Sequence, residues 1–252
     1  MIKKYFLKTL LILSVSTIFI LTLSGTGICI DKTKIDLSEY KGSNTNRTFK
    51  AYKYAFGDRT QGTLQFVYTD VENGFHLDWY EVYDDGEITS LGLDYKVTAE
   101  GSFEKNIYRY DAKYGDYLTF VYRDLPNGLP PNPNIGNEKP LLTFPYAVVN
   151  VGYMWGDAFV EKGNREAIYY PRVYQFAILG LEDVTVPAGT FTDCVKIARF
   201  RGNQADRISW HAKGIGMVKI IYAQEEHSLS IADTQYQVQG YNRAFVLQSL
   251  DN

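Results

Sequence analysis

Val184-Thr185-Val186-Pro187-Ala188-Gly189-Thr190-Phe191, followed by Asp193-Cys194-Val195-Lys196 and then by Trp210-His211-Ala212-Lys213-Gly214-Ile215-Gly216-Met217-Val218-Lys219, is the stretch whose reading decides the fold. Val184 and Val186 share one face of a strand, Pro187-Ala188-Gly189 turns the chain, and Phe191 anchors the strand that returns. Gly214 and Gly216 bracket Ile215 in a turn too tight for side chains, and Trp210 packs beside it. The pattern is strand, turn, strand, strand, turn, strand: an antiparallel meander.

The same alternation extends outward from this stretch. Tyr52, Tyr54 and Phe56 fall on one strand face with Lys53 on the other, and Leu64, Phe66 and Tyr68 repeat the period of two. Asn73-Gly74 and Asp85-Gly86 supply residues that tolerate positive φ, as hairpin turns require. Residues 47–123 therefore read as five or six strands. Leu141 to Pro145, Val151 to Trp155 and residues 168–179 add more, and Leu229 with Ile231, Tyr236 with Val238, and Phe245 with Leu247 continue the alternation. With 21 Tyr and 14 Phe to pack on pleated surfaces, the expected fold is all-β. It is expected to be a curved antiparallel sheet or open half-barrel of about 11–14 strands.

The N-terminus carries Lys3, Lys4 and Lys8 before an apolar run from Leu10 to Leu23 and the small residues Ser24-Gly25-Thr26-Gly27. This reads as a signal peptide over 1–27 and an exported protein, periplasmic or extracellular. The alternatives are an uncleaved N-terminal anchor and a lipidated Cys29, although Ile28 stands where a lipidation site wants a small residue. Residues 28–46 are polar, end in Gly42-Ser43-Asn44-Thr45-Asn46, and read as a flexible linker to a single domain over 47–252. The proline-rich stretch at 125–140 cannot continue a strand and reads as a long loop at the rim of the sheet.

Removing the three leader lysines leaves 23 of the 26 basic residues against 29 acidic ones, so the net charge moves from -3 to -6. A chain this acidic, with no basic cluster, is not expected to bind nucleic acid. Two cysteines in an exported chain do not make a disulfide scaffold, and Cys194 reads as a core thiol. There is no Gly-x-Ser-x-Gly elbow and no His-Glu-x-x-His pair. Parity places His211 with Arg207 and Ser209, opposite Trp210 and Ala212, and reads it as a surface histidine. Asp78 and Glu81 fall on opposite faces of one strand and so cannot serve as paired carboxylates. No catalytic residue, metal ligand or cofactor is assigned.

At Val186-Pro187-Ala188-Gly189-Thr190-Phe191 with Cys194 and Lys196, and at Trp210 with Gly214-Ile215-Gly216-Met217-Val218-Lys219, the chain resembles a group of uncharacterised bacterial secreted β-proteins. Leu142 to Trp155 resembles the segment that precedes those motifs in the same group. Such proteins are related in fold to the periplasmic lipoprotein-localisation carriers, so the resemblance implies a strongly curved sheet around an apolar cavity, in an exported protein. This chain lacks the helices with which the carriers plug their concave face.

The function expected is non-enzymatic binding of an apolar or amphipathic ligand, a lipid or lipoprotein, on the concave face. Tyr52, Tyr54, Phe66, Trp79 and Trp155 are the expected lining. The competing readings are a structural or protein-interaction module of the cell envelope and a carbohydrate-active enzyme.

Overall fold

The computed structural model describes residues 34–55, 58–111, 116–124, 138–163, 169–201, 204–222, 227–231, 234–238 and 242–250. The leader, Cys29, Phe56 and residues 125–137 of the proline-rich stretch lie outside this set. So do the side chains of Tyr54 and of residues 227–238.

The described chain begins with strand β1 (Ile35–Asp36) and a short 3₁₀ helix at Leu37–Tyr40. Six strands follow: β2 (Arg47–Ala55), β3 (Asp58–Val71), β4 (Gly74–Tyr83), β5 (Ile88–Val97), β6 (Gly101–Asp111) and β7 (Asp116–Asp124). Then come β8 (Leu141–Pro145), β9 (Val148–Val149), β10 (Met154–Gly163) and the long β11 (Tyr169–Val186). The stretch quoted at the outset supplies the end of β11, β12 (Gly189–Arg201), β13 (Gln204–Ala212) and β14 (Gly216–Tyr222). A hairpin of β15 (His227–Ile231) and β16 (Thr234–Val238) precedes β17 (Asn242–Leu250).

Thirteen strands join one antiparallel sheet in the order β5-β4-β3-β2-β17-β14-β13-β12-β11-β10-β7-β6-β8. The sheet curves far enough that β5, at one end of this order, also pairs with β6 near the other, from Leu91 opposite Arg109 to Val97 opposite Ser102. The fold is thus the all-β, curved antiparallel sheet expected, with a strand number inside the expected range.

Its interior is built from aromatic rings stacked across neighbouring strands. Phe49 and Phe66 lie 4.9 Å apart, Phe66 and Trp79 4.9 Å, and Trp79 meets Phe245 edge-on at 5.6 Å. Burying each such ring is worth roughly 1.5–3 kcal/mol, with about 0.5–1.5 kcal/mol more for a well-placed aromatic pair.

Local turn chemistry differs from the sequence reading at two places. The β3–β4 turn is centred on Glu72-Asn73, with Val71 paired to Gly74, one residue earlier than Asn73-Gly74 suggests. Asn73 takes the positive φ of 60°, which asparagine tolerates better than most residues. In the opening stretch Asp193 also has a positive φ, 51°, and its amide donates to Asp183 Oδ1 at 3.0 Å. This pair sits where the β11–β12 register slips between Glu182 and Val184.

The linker assigned to 28–46 is corrected over its described part. Ile35, Leu37 and Tyr40 are buried, and Ile35 pairs with Val149. The Leu37 amide donates to the Ala147 carbonyl at 3.0 Å, and the Gly214 amide donates to the Glu39 carbonyl at 2.7 Å. A side chain at Gly42, where φ is +75°, would stand 2.3 Å from the Ile215 carbonyl oxygen. Three apolar residues in a polar setting, together with main-chain bonds to distant segments, hold this part of the chain on the domain.

Candidate functional site

On β2, Arg47, Phe49, Ala51 and Lys53 face the concave side. Arg47 lies level with Phe66, Trp79 and Leu91 across four successive strands. On the far wall, Ile197, Ser209 and Ile220 line up across β12, β13 and β14 in the same way. Between these walls is a cavity of about 340 Å³, within the range of about 300–1,000 Å³ usual for small-molecule sites. Phe66, Leu77, Trp79, Leu93, Ile107 and Phe176 are among its apolar lining.

Of the expected lining residues, Phe66 and Trp79 border this cavity and Tyr52 and Trp155 do not. Tyr52 has the opposite parity on β2 and is covered instead by the guanidinium of Arg59, 4.0 Å from its ring centre. Lys53, on the strand face opposite the expected aromatic lining, belongs to the inner side, where it is paired with Glu87. Trp155 stacks at 5.2 Å on Phe176, which does line the cavity, so it backs the wall without forming it.

Sequence reasoning missed the polar lining. Among the described residues, five arginines, at 47, 109, 199, 201 and 207, border the cavity together with Lys41, while Glu104 is the only carboxylate in this lining. Asp206 engages two of these arginines. Arg199 donates twice to its carboxylate, at 2.8 and 2.7 Å, and Arg201 lies 3.5 Å from it. Arg47 is only 2% exposed, yet its Nε has no hydrogen-bond partner; Nη2 donates to the Ser43 carbonyl at 2.6 Å, and the guanidinium lies over the Tyr68 ring. The buried Nε of Arg207 is likewise without a partner, and its guanidinium lies over Phe176.

His211 corrects the surface reading. Its parity with Arg207 and Ser209 is as the alternation says, but the face they share is the cavity wall. The ring packs 5.1 Å from Phe144 and lies within hydrogen-bond distance of Ser209 Oγ, 3.1 Å. Burial pushes its pKa down to about 3, and the positive charges of Arg207 and Arg47 push the same way.

Beyond Trp79, on the same face of β4, lies a buried polar cluster. Glu81 is 3% exposed and accepts from Trp79 Nε1 at 2.7 Å, from Tyr83 at 3.2 Å and from Arg243 at 2.8 Å. Burial raises its pKa despite these donors. Asp78 points to the other face, as parity requires, and meets His76 at 3.2 Å. Cys194 is fully buried; burial, then the nearby Asp183, raises its thiol to about 11, which keeps it a core residue. Among the described residues no group of three or more His, Cys, Asp or Glu is placed to hold a metal ion.

No protein-family profile and no curated protein matches the chain. Among solved structures, a domain provisionally assigned as an outer membrane lipoprotein-sorting protein from Vibrio parahaemolyticus aligns over 84% of this chain and 87% of its own. The aligned residues are 9% identical and the TM-score is 0.28, a likeness too loose to carry an argument about fold or function.

Proposed function

We propose that the protein is a non-enzymatic binder of an apolar or amphipathic ligand, a lipid or the acyl part of a lipoprotein, exported to the cell envelope. The observation that carries this reading is the cavity on the concave face, walled by aromatic and aliphatic side chains from opposed strands of the sheet. An apolar wall of this size left uncovered costs hydrophobic free energy, which a bound chain recovers. The lysine-flanked apolar leader supports export, and the motifs around Val186 and Trp210 support a kinship with secreted β-proteins.

The chain has three tryptophans, and of these Trp79 alone lines the cavity. Titration with long-chain fatty acids should therefore change the tryptophan emission, and Trp79→Phe should abolish most of that change. Native mass spectrometry of protein from its own host should show a co-purifying lipid mass. A bare protein mass, with no saturable fluorescence response to any acyl ligand, points instead to a structural or protein-interaction module whose interior is simply core.

A further inference from the structure

An acidic chain that places five arginines around one apolar cavity, with one carboxylate among the described lining residues, needs a reason for that placement. Two of the five are engaged by Asp206, and Arg109 is exposed at the margin with its guanidinium over Phe120. Arg47 and Arg207 are different. Each has a buried Nε without a partner, and among the described residues neither makes an ion pair. Arg47 is buried and Arg207 half-buried, and a buried donor left unsatisfied is unfavourable unless something supplies the acceptor.

The two arginines border the same cavity, and the charges of both act on His211. Arg47 belongs to β2, but its Nη1 reaches to 3.1 Å from where a Cβ on Gly216 would stand, at the start of β14. Gly216 pairs with Ala212, and its neighbour Met217 pairs with His211. Arg207 and Ser209 follow His211 along the same face of β13, and all of these except Gly216 and Ala212 line the cavity. Guanidinium groups present forked donors suited to carboxylate and phosphate oxygens. The remaining walls near Phe66, Trp79 and Leu93 are apolar and suit a hydrocarbon chain.

We propose that Arg47 and Arg207 form an oxyanion-binding end within the cavity, so that the ligand is an acyl chain carrying a carboxylate or phosphate head rather than a neutral lipid. This rests on reading the cavity as an acyl-chain site. The head group accepts from the two guanidiniums, and Ser209 offers a further donor beside them. The chain runs along the aromatic wall toward Trp79.

The test compares hexadecanoic acid, hexadecyl phosphate, hexadecanol and inorganic phosphate as ligands of the leaderless protein, by calorimetry and by tryptophan emission. The acid or the phosphate ester should bind at least tenfold more tightly than the alcohol, and rising salt should reduce that preference. Arg207→Gln should remove the preference, weakening the acid and the ester at least tenfold more than hexadecanol, and Arg207→Lys should restore part of it. The comparison of ligands on the unaltered protein stands even if a variant fails to fold. Equal affinity for acid, ester and alcohol overturns the oxyanion end and leaves the acyl site in place. Saturable binding of inorganic phosphate with no gain from the chain shows a free-anion site and overturns the proposal. Binding of none of the four removes the acyl-site reading, and this inference with it.

Discussion

Trp79 donates its indole N–H to Glu81 Oε1 at 2.7 Å, so two residues on the same face of one strand link the cavity wall to the buried ion pair beyond it. Arg243 completes the link at 2.8 Å from Glu81 and at 2.9 Å from Glu87. Replacing Glu81 by leucine removes the acceptor of three donors and leaves Arg243 with Glu87 alone from this pair of carboxylates. The expected cost is about 2–4 kcal/mol in urea unfolding, in line with breaking a buried pair from one side. A change below about 0.5 kcal/mol would show that the cluster is solvated in solution.

Leu37 is fully buried in a stretch whose composition reads as a linker. Leu37→Ala should therefore destabilise the domain by about 2–4 kcal/mol, the usual cost of emptying a core leucine site. A true linker position would lose almost nothing. Limited proteolysis should report the same difference, with cleavage between residues 34 and 46 accelerated in the variant.

His211 makes the domain sensitive to acid. In the unfolded chain it titrates near its ordinary 6.5, whereas in the folded cavity burial first, then Arg207 and Arg47, hold it to about 3. The charges that act on it are Arg207 on its own strand and Arg47 from β2; Lys41, from the segment before β2, and Glu104, from β6, also border the cavity. Because the folded value lies below the unfolded one, the contribution is complete above pH 6.5 and is lost as pH falls from there toward 3. The slope is on the order of 1 kcal/mol per pH unit. His211→Gln should flatten that part of the stability profile between pH 6 and 4. An unchanged profile would refute the assignment.

Lys219 is 4% exposed on the opposite face, beneath the Trp210 ring at 4.7 Å. Burial lowers its pKa to about 8; Glu182 opposes the shift and Lys196 adds to it. A depressed lysine pKa contributes stability above the unfolded value near 10.5 that is lost as pH falls through 8, so at pH 7 the charged form weakens the fold. Lys219→Met should raise stability at pH 7 by about 1–2 kcal/mol and by less at pH 10, measured by denaturant titration.

Strand alternation made most of the sheet legible. The six strands from Arg47 to Asp124 and the hairpins around Pro187 and Gly214 follow from period-two patterns and turn residues alone. What alternation cannot settle is which face is concave. On β2 both faces are covered, with Phe49 and Ala51 on one and Tyr52 on the other, so the aromatic face looked like the interior. His211 shows the same limit: its partners on the strand were read correctly, and the meaning of their face was not. Of the cavity, the aromatic residues Phe66 and Trp79 were legible; the polar lining was not, because its arginines come from β2, β6, β12 and β13 and converge only through the curvature of the sheet.

The ladder between β2 and β17 pairs Arg47 with Leu250 and Tyr54 with Asn242, joining segments from near opposite ends of the described chain in the middle of the sheet. Its closure carries the entropy of a very long loop, so it is among the slowest contacts to form. Until Phe245 and Leu247 arrive, β2 and β14 each present a bare edge beside apolar side chains, which is the arrangement that recruits other chains. A chain cut short before β17 would therefore lose an interior member of the sheet rather than a marginal strand, and aggregation rather than a smaller folded core is the fate such topology dictates.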